Sequence, residues 1–291
     1  MHVFDAICSP VNLALAFKRY EKSSGLWAPG CLMADLRANK IEAMLQLADD
    51  LRSGRYTPHP PVTFELQKAD GTRRPICVFA VRDRVVQRAA LLVVQQITER
   101  HFMPSSFGFR PGGGVRRALA AATQWVSSGY SYAVDTDIRR CFEHIAHAPL
   151  IATVERMVRD RRAVELLVRC LQGCGQVDGQ LLNPKQTPAK GGEGLEGLAQ
   201  GACLSPWFCN VYLHPFDRLM QRQKTPLVRY ADDLVLFTRS HLAAVRALDS
   251  AQQWMSKHGL ALHPNKTNIL QPRDTARFLG QSLARPDYIA A

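Results

Sequence analysis

Four aspartates in two short apolar stretches define the chemistry open to this sequence. In Tyr132-Ala133-Val134-Asp135-Thr136-Asp137-Ile138 a period of two places Asp135 and Asp137 on one face of a strand. Tyr132, Val134, Thr136 and Ile138 fill the other. Carboxylates flanked by apolar residues cost desolvation energy unless something pairs with them. Arg139 and Arg140 can do so, and so can a divalent cation. In the second stretch, Leu227 to Phe237, two buried strands meet at the adjacent Asp232 and Asp233. One Asp in a turn serves local hydrogen bonding. Two crowd like charge and favour a cation, with a plain Asp-rich hairpin turn as the alternative. Together Asp137, Asp232 and Asp233 form a set that can hold two Mg²⁺ ions and support in-line displacement at phosphorus.

The elements that must position these residues are readable from periodicity and punctuation. Residues 1–55 read as helical, with apolar spacing in Val11 to Phe17 and in Ile41 to Leu51. Gly54 and Thr57-Pro58-His59-Pro60-Pro61 break the chain. Val62 to Leu66 alternates, Lys68 to Gly71 turns and Arg73 to Val81 returns, which is a hairpin with a basic tip. Asp83 is placed to cap a helix over 84–100. The loop 104–114 leads into a helix from Val115 to Val126, and residues 131–138 form a strand. A helix-rich stretch runs to Cys170, and the Gly-, Pro- and Gln-rich segment Gly173 to Gly194 reads as a mobile loop. A helix starts near Ser205-Pro206, another spans His241 to His258, and short extended pieces finish the chain.

Composition narrows the partners. The chain has 291 residues with 46% hydrophobic and 21% charged, an ordinary globular balance that excludes a disordered or collagen-like chain. Lys plus Arg exceeds Asp plus Glu by 12. Such a surplus suits a polyanion, because each neutralised phosphate releases counterions; a solvated basic surface is the alternative. The eight cysteines include no CxxC pair, and Cys170 and Cys174 suit one helix face better than a zinc knuckle. No apolar run reaches the ~20 residues of a membrane span, and Asp5 with no cationic residues before the first apolar ones leads us to expect no secretory signal. The expectation is a cytoplasmic protein with reduced thiols and no membrane role.

Tyr230-Ala231-Asp232-Asp233 resembles the YxDD box of reverse transcriptases, and the surrounding blocks come in that family's order. Lys68-x-x-Gly71-x-x-Arg74-Pro75 is similar to the fingers motif, and Asp83-Arg84-Val85-Val86-Gln87 follows as in group II intron-like enzymes. Ser106-Phe107-Gly108-Phe109-Arg110-Pro111-Gly112 matches their SFGFRPG loop, and Asp137-Ile138-x-x-Cys141-Phe142 resembles the first palm motif. Gly197-Leu198-Ala199-Gln200-Gly201-Ala202-Cys203-Leu204-Ser205-Pro206 resembles GLPQGxxLSP, with Ala199 where Pro is usual. Gly259-Leu260-x-Leu262-x-x-x-Lys266-Thr267 and Phe278-Leu279-Gly280 complete the set. Ordered blocks across residues 55 to 280 are far more specific than any one of them.

The resemblance implies an α+β right-hand polymerase fold of fingers and palm, with an antiparallel palm sheet backed by helices. The expectation is a thumb that is absent or minimal, because eleven residues follow Gly280. Residues 1–55 become an N-terminal helical extension, 56–130 the fingers interleaved with palm, 131–280 the palm and 281–291 a short tail. Asp137 and Asp232 become the strict ligands of two Mg²⁺ ions (Mn²⁺ able to substitute), with Asp233 completing the catalytic trio as a helper. Asp135 falls outside it. Phe142 matches the aromatic over the sugar's 2′ position, an ordinary core Phe being the alternative. Gln200 and Gly201 resemble the residues beside the templating base pair, or a glycine turn before a helix. Lys68 and Arg74 look like triphosphate clamps, and Lys266 like the late-palm lysine that protonates pyrophosphate or contacts phosphate. Arg73, Arg110, Arg116 and Arg117 add basic surface. Gly112-Gly113-Gly114 reads as a phosphate cradle or a plain loop.

The implied reaction is RNA-directed DNA synthesis from an RNA template, a DNA or RNA primer and deoxynucleoside triphosphates. RVVQRA, SFGFRPG and LVRYADD look most like CRISPR-associated reverse transcriptases. A protein or structured-RNA partner, a CRISPR integrase among the candidates, would stand in for the thumb. The alternatives are another bacterial defence enzyme, a diversity-generating enzyme, an RNA-dependent RNA polymerase or a catalytically idle nucleic-acid-binding scaffold.

Overall fold

The computed structural model describes residues 2–67, 71, 73–172, 176–177, 180–181, 195–271 and 277–283. In chain order the elements are α1 (Val3–Ile7), α2 (Pro10–Lys18), β1 (Leu26–Ala28), β2 (Cys31–Leu32), α3 (Met33–Ala38), α4 (Lys40–Ser53), β3 (Val62–Gln67), β4 (Arg73–Val78) and α5 (Val81–Thr98). Then come α6 (Val115–Ser127), β5 (Tyr132–Asp137), α7 (His147–Val158), α8 (Arg161–Gln172), β6 (Gln176–Val177) and β7 (Gln180–Leu181). The chain closes with α9 (Ser205–Arg222), β8 (Leu227–Tyr230), β9 (Asp233–Thr238), α10 (His241–Lys257), β10 (Asn268–Leu270), β11 (Arg277–Phe278) and β12 (Gln281–Ser282). Two compact units result: residues 1–100 with 146–208, and residues 101–145 with 209–291.

The first unit is helical and is organised on α5. Val81, Val85, Val86, Ala89, Ala90 and Val94 of that helix are buried, and α1, α2, α7 and α8 pack against it. Pro10 opens α2, where its missing N–H costs nothing. Gly54, at φ 79°, closes α4 in the left-handed conformation that glycine adopts freely. The stretch 1–55, expected to be helical, also contains a short antiparallel hairpin of β1 and β2. The expected second hairpin is β3 paired with β4 from Val62↔Val78 to Gln67↔Arg73. Every residue of β3 is exposed.

Asp83 departs from its expected role. It lies inside the first turn of α5, and the N-cap position is Ala80, which makes no side-chain cap bond. The Asp83 carboxylate is fully buried. It accepts from the Tyr56 hydroxyl at 2.8 Å and the His59 backbone N–H at 3.0 Å, with His59 Nδ1 2.9 Å away. A buried carboxylate needs several donors, and the segment before β3 supplies them. The segment expected as a mobile loop, 173–194, lies outside the described residues apart from β6 and β7, which pair with each other.

The second unit is built on the expected antiparallel sheet, in the order β10-β5-β9-β8. Alternation along these strands sorts the residues by face. One face carries Ala133, Val228, Val235 and Phe237, which close a core with Ala118, Leu119, Ala122 and Val126 of α6. Full burial of each large side chain there contributes about 1.5–3 kcal/mol. On the opposite face Val134, Leu234 and Leu236 are fully buried, and α10 packs on β5 and β9. Ser240 caps α10 by accepting from the Ala243 N–H at 3.2 Å. Cys8, Cys31, Cys77, Cys141, Cys170, Cys203 and Cys209 are free thiols; Cys174 lies outside the described residues. Among the described residues no helix is long and apolar enough to cross a membrane.

Candidate active site

The α6-covered face of the sheet is apolar along most of its length and acidic at one end. Asp137 of β5 stands directly opposite Asp233 of β9, and Asp135 opposite Val235. Directly opposed residues of antiparallel strands share a face, with Cβ atoms about 5 Å apart. Asp232 occupies the turn between β8 and β9, and its carbonyl accepts from the Ile138 N–H at 3.1 Å. That bond ties the turn to the residue following Asp137.

Charge crowding follows from this register. Burial first, then Asp232 and Asp137, push the Asp233 carboxyl up to about 6, against an opposing pull from Lys266. Burial, then Asp233 and Asp137, push Asp135 up to about 6 as well. Lys266 Nζ pairs with Asp137 Oδ2, so the cation beside Asp137 is neither Arg139 nor Arg140. Arg140 instead pairs with Glu143 at 3.7 Å. Among the described residues no three His, Cys, Asp or Glu side chains close on one point as a metal centre. The site nevertheless fits a hard divalent cation. Asp137 Oδ1 is buried with no hydrogen-bond partner, and the donors clustered here are carboxylate oxygens, which suit Mg²⁺.

The acidic turn is held by its backbone. Ala231 sits at φ 58°, a left-handed conformation that costs a non-glycine residue on the order of 1–2 kcal/mol. The neighbouring loop holds it there. A Cβ built on Gly108 would lie 2.5 Å from the Ala231 nitrogen, so only glycine lets this loop lie against the turn. The loop also pairs with β8: Phe107 N–H donates to Arg229 O, and Arg229 N–H to Ser105 O, each at 2.8 Å. Gly113 answers the same need inside the loop, since a Cβ there would meet the Phe107 carbonyl at 2.1 Å. These glycines have a packing reason that requires no phosphate.

The remaining expected residues fall as follows. Phe142 is half-buried in the single 3₁₀ turn Cys141–Glu143 that follows β5. Gln200 and Gly201 belong to the helical unit. There a Cβ on Gly201 would lie 2.2 Å from the Cys77 carbonyl, and Cys77 N–H donates to Gln200 O at 2.7 Å. The bulk that Gly201 lacks is thus filled by the chain's own β4. Lys68 lies outside the described residues, and of Arg74 only the place in β4 is described. Arg73 pairs with Glu65 at 2.7 Å.

Arg110, expected among the basic residues of the fingers, is half-buried. Its guanidinium donates to the Met103 and Ser106 carbonyls at 2.6 and 2.5 Å and lies over the Phe102 ring, bracing its own loop. The residue that sequence reasoning passed over is Arg229. It is wholly buried and reaches the Ala231 carbonyl at 2.9 Å. A lone arginine inside the apolar run Leu227 to Phe237 was the available signal.

Comparison with known proteins adds four findings. The sequence pattern of the family described as "Reverse transcriptase (RNA-dependent DNA polymerase)" matches residues 66–283. The chain is 29% identical over 321 residues to protein YkfC of Escherichia coli, covering 96% of this chain and 82% of that one. It is 25% identical over 222 residues to the group II intron-encoded protein LtrA of Lactococcus lactis subsp. cremoris, covering 76% of this chain and 35% of that one. Among solved structures, apo telomerase from Candida tropicalis truncated from its C-terminal domain superposes with a TM-score of 0.55 at 13% identity. That match covers 84% of this chain and 59% of the other, and it is a likeness of fold.

Proposed function

The chain belongs to the reverse transcriptase family of RNA-directed DNA polymerases, and from that premise we propose that Asp137, Asp232 and Asp233 form its nucleotidyl-transfer site. In the proposed reaction a primer 3′-hydroxyl attacks the α-phosphate of a deoxynucleoside triphosphate paired with an RNA template, and pyrophosphate leaves. The observation that carries this reading is the register Asp137↔Asp233 together with the orphaned, buried Asp137 Oδ1. Mg²⁺ held there would neutralise charge developing on the transferring phosphate and activate the attacking hydroxyl. The protein's own contribution is fixed placement of its carboxylates, which avoids reorganisation during the reaction.

Lys266 has a more specific part. Its hydrogen bond to Asp137, then the charges of Asp137 and its neighbours, hold its pKa above the usual value. Lys266 is proposed as a contact to the phosphates of the incoming nucleotide, with proton donation to the departing pyrophosphate as the alternative. Phe142 is proposed as the barrier to a 2′-hydroxyl, and Lys68, Arg74, Gln200 and Gly201 as contacts to the incoming nucleotide. The net charge of +12 supports a nucleic-acid duplex as the bound substrate. The proposed setting is CRISPR spacer acquisition or a related bacterial defence, on the likeness of RVVQRA, SFGFRPG and LVRYADD to such enzymes.

The test is extension of a DNA primer on an RNA template, with and without Mg²⁺ or Mn²⁺. Extension should require the cation and fall by at least ~10³-fold in Asp137→Ala or Asp232→Ala, the scale set by several kcal/mol of charge stabilisation. Full activity in Asp137→Ala would remove the assignment.

A further inference from the structure

Arg229 occupies a position where β8 needs an aliphatic residue. It lies opposite Leu234, on the face that also buries Val134 and Leu236, and its side chain is 0% exposed. All five guanidinium donors are used. Nε donates to Asp217 Oδ1 at 2.7 Å and Nη2 to Asp217 Oδ2 at 2.6 Å, a bidentate pair with α9. Nη2 also donates to Ser106 Oγ at 2.9 Å. Nη1 donates to Asn210 Oδ1 at 3.0 Å and to the Ala231 carbonyl at 2.9 Å. Asn210 in turn donates from Nδ2 to the Gly108 carbonyl at 2.8 Å.

The fork therefore joins four pieces of chain: β8, α9, the loop around Ser106 and Gly108, and the turn that carries Asp232. Burial alone would pull the guanidinium's pKa down, but Asp217, by charge and hydrogen bond, more than reverses it. A buried ion pair of this kind is a weak source of stability, because well-packed apolar residues often replace one without loss. Its distinctive return here is geometric. Ala231, in the left-handed conformation, is pinned at its nitrogen side by Gly108 and at its carbonyl by Arg229.

We propose that Arg229 is a positioning residue for nucleotidyl transfer: its five-donor network fixes the Ala231 carbonyl and thereby the direction in which Asp232 and Asp233 leave the turn. The proposal rests on the polymerase reading above. It predicts that loss of the fork slows chemistry in a protein that remains folded. A guanidinium is required, because a single ammonium cannot serve Asp217, Asn210 and Ala231 in one plane.

The experiment compares wild type with two variants, Arg229→Lys, which keeps the charge, and Arg229→Met with Asp217→Leu, which removes both buried charges at similar volume. Thermal melts report folding, amide hydrogen exchange of a peptide spanning 227–236 reports the turn, and primer extension separates kcat from nucleotide KM. Folded variants should exchange at the turn at least ~5-fold faster, lose at least ~10-fold in kcat and change KM by less than ~3-fold, with Arg229→Lys giving no rescue. Wild-type exchange and kcat in either folded variant would overturn the proposal. Failure of both variants to fold would make Arg229 a structural residue of the sheet and overturn it equally. A wild type that protects the turn but extends no primer would instead refute the polymerase reading, while the exchange data still judged Arg229.

Discussion

Lys266 and Asp137 form an unequal pair: Nζ engages Oδ2, while Oδ1 of the same carboxylate is buried and unpartnered. Lys266 is the more exposed partner, at 61% against 14% for Asp137. An exposed ammonium on a flexible stem can leave Oδ2 when a competing cation arrives. Lys266→Met should therefore enlarge the stabilisation that Mg²⁺ gives the protein. The expected difference is about 1–3 °C in the Mg²⁺-induced shift of the melting midpoint. Equal shifts in the two proteins would show that Lys266 and the cation do not share Asp137.

Asp135 supplies a pH test. Its carboxyl rises from 3.8 to about 6, with burial first among the causes and Asp233 and Asp137 next. The folded protein thus holds this proton more tightly than the unfolded chain. Stability is lost as pH rises between those two values, and the cost is complete above about 6. Asp135→Asn removes the charge and should raise the melting midpoint by on the order of 2 °C near neutral pH, with partial exposure of the site limiting the gain. Near pH 4 the gain should vanish. A gain independent of pH would assign the effect to packing instead.

Phe142 is tested through sugar choice. Phe142→Val removes the ring and leaves a β-branched residue that still fills the 3₁₀ turn. Ribonucleotide incorporation relative to deoxynucleotide should rise at least ~10-fold, the scale of 1.4 kcal/mol of lost discrimination. The ratio of the two incorporation rates on one template measures it, and an unchanged ratio would return Phe142 to the core.

Gly108→Ala tests the seat of the acidic turn. Its Cβ would come within 2.5 Å of Ala231 N and 3.1 Å of Tyr230 C, both backbone atoms that have no rotamer to yield. The overpacking should cost about 1–3 kcal/mol, read as a lower melting midpoint together with slower primer extension. Gly25→Ala is the control, because its backbone is not left-handed and the nearest atom to the new Cβ is the Ser23 Oγ, at an ordinary contact distance of 3.4 Å. Equal effects of the two substitutions would argue against a specific clash at Ala231.

Much of the site was legible because its signals are local. The alternation around Asp135 and Asp137 and the paired aspartates between apolar strands appear where the strands β5, β8 and β9 form. What escaped depended on distant partners. Asp83 has the position of a helix cap, and its donors Tyr56 and His59 lie 27 and 24 residues earlier. Arg229 reads as one charge in an otherwise apolar run, and its carboxylate partner belongs to the preceding helix. Arg110 sits in a basic loop motif, and its guanidinium meets carbonyls of that same loop. Type and spacing disclose that a charge is present. Only the folded backbone decides which acceptor it meets.

The loop that seats the acidic turn also governs how the sheet can associate. β8 is a terminal strand in the order β10-β5-β9-β8, and an open strand edge is a template for pairing with another chain. Ser106 forms a parallel bridge with Arg229, so the loop occupies that edge as a rudimentary fifth strand. Substitutions that loosen the loop therefore carry a hazard beyond lost catalysis. They unmask Leu227–Tyr230 as a sticky border, and a partly opened protein should aggregate through it before the rest of the sheet melts.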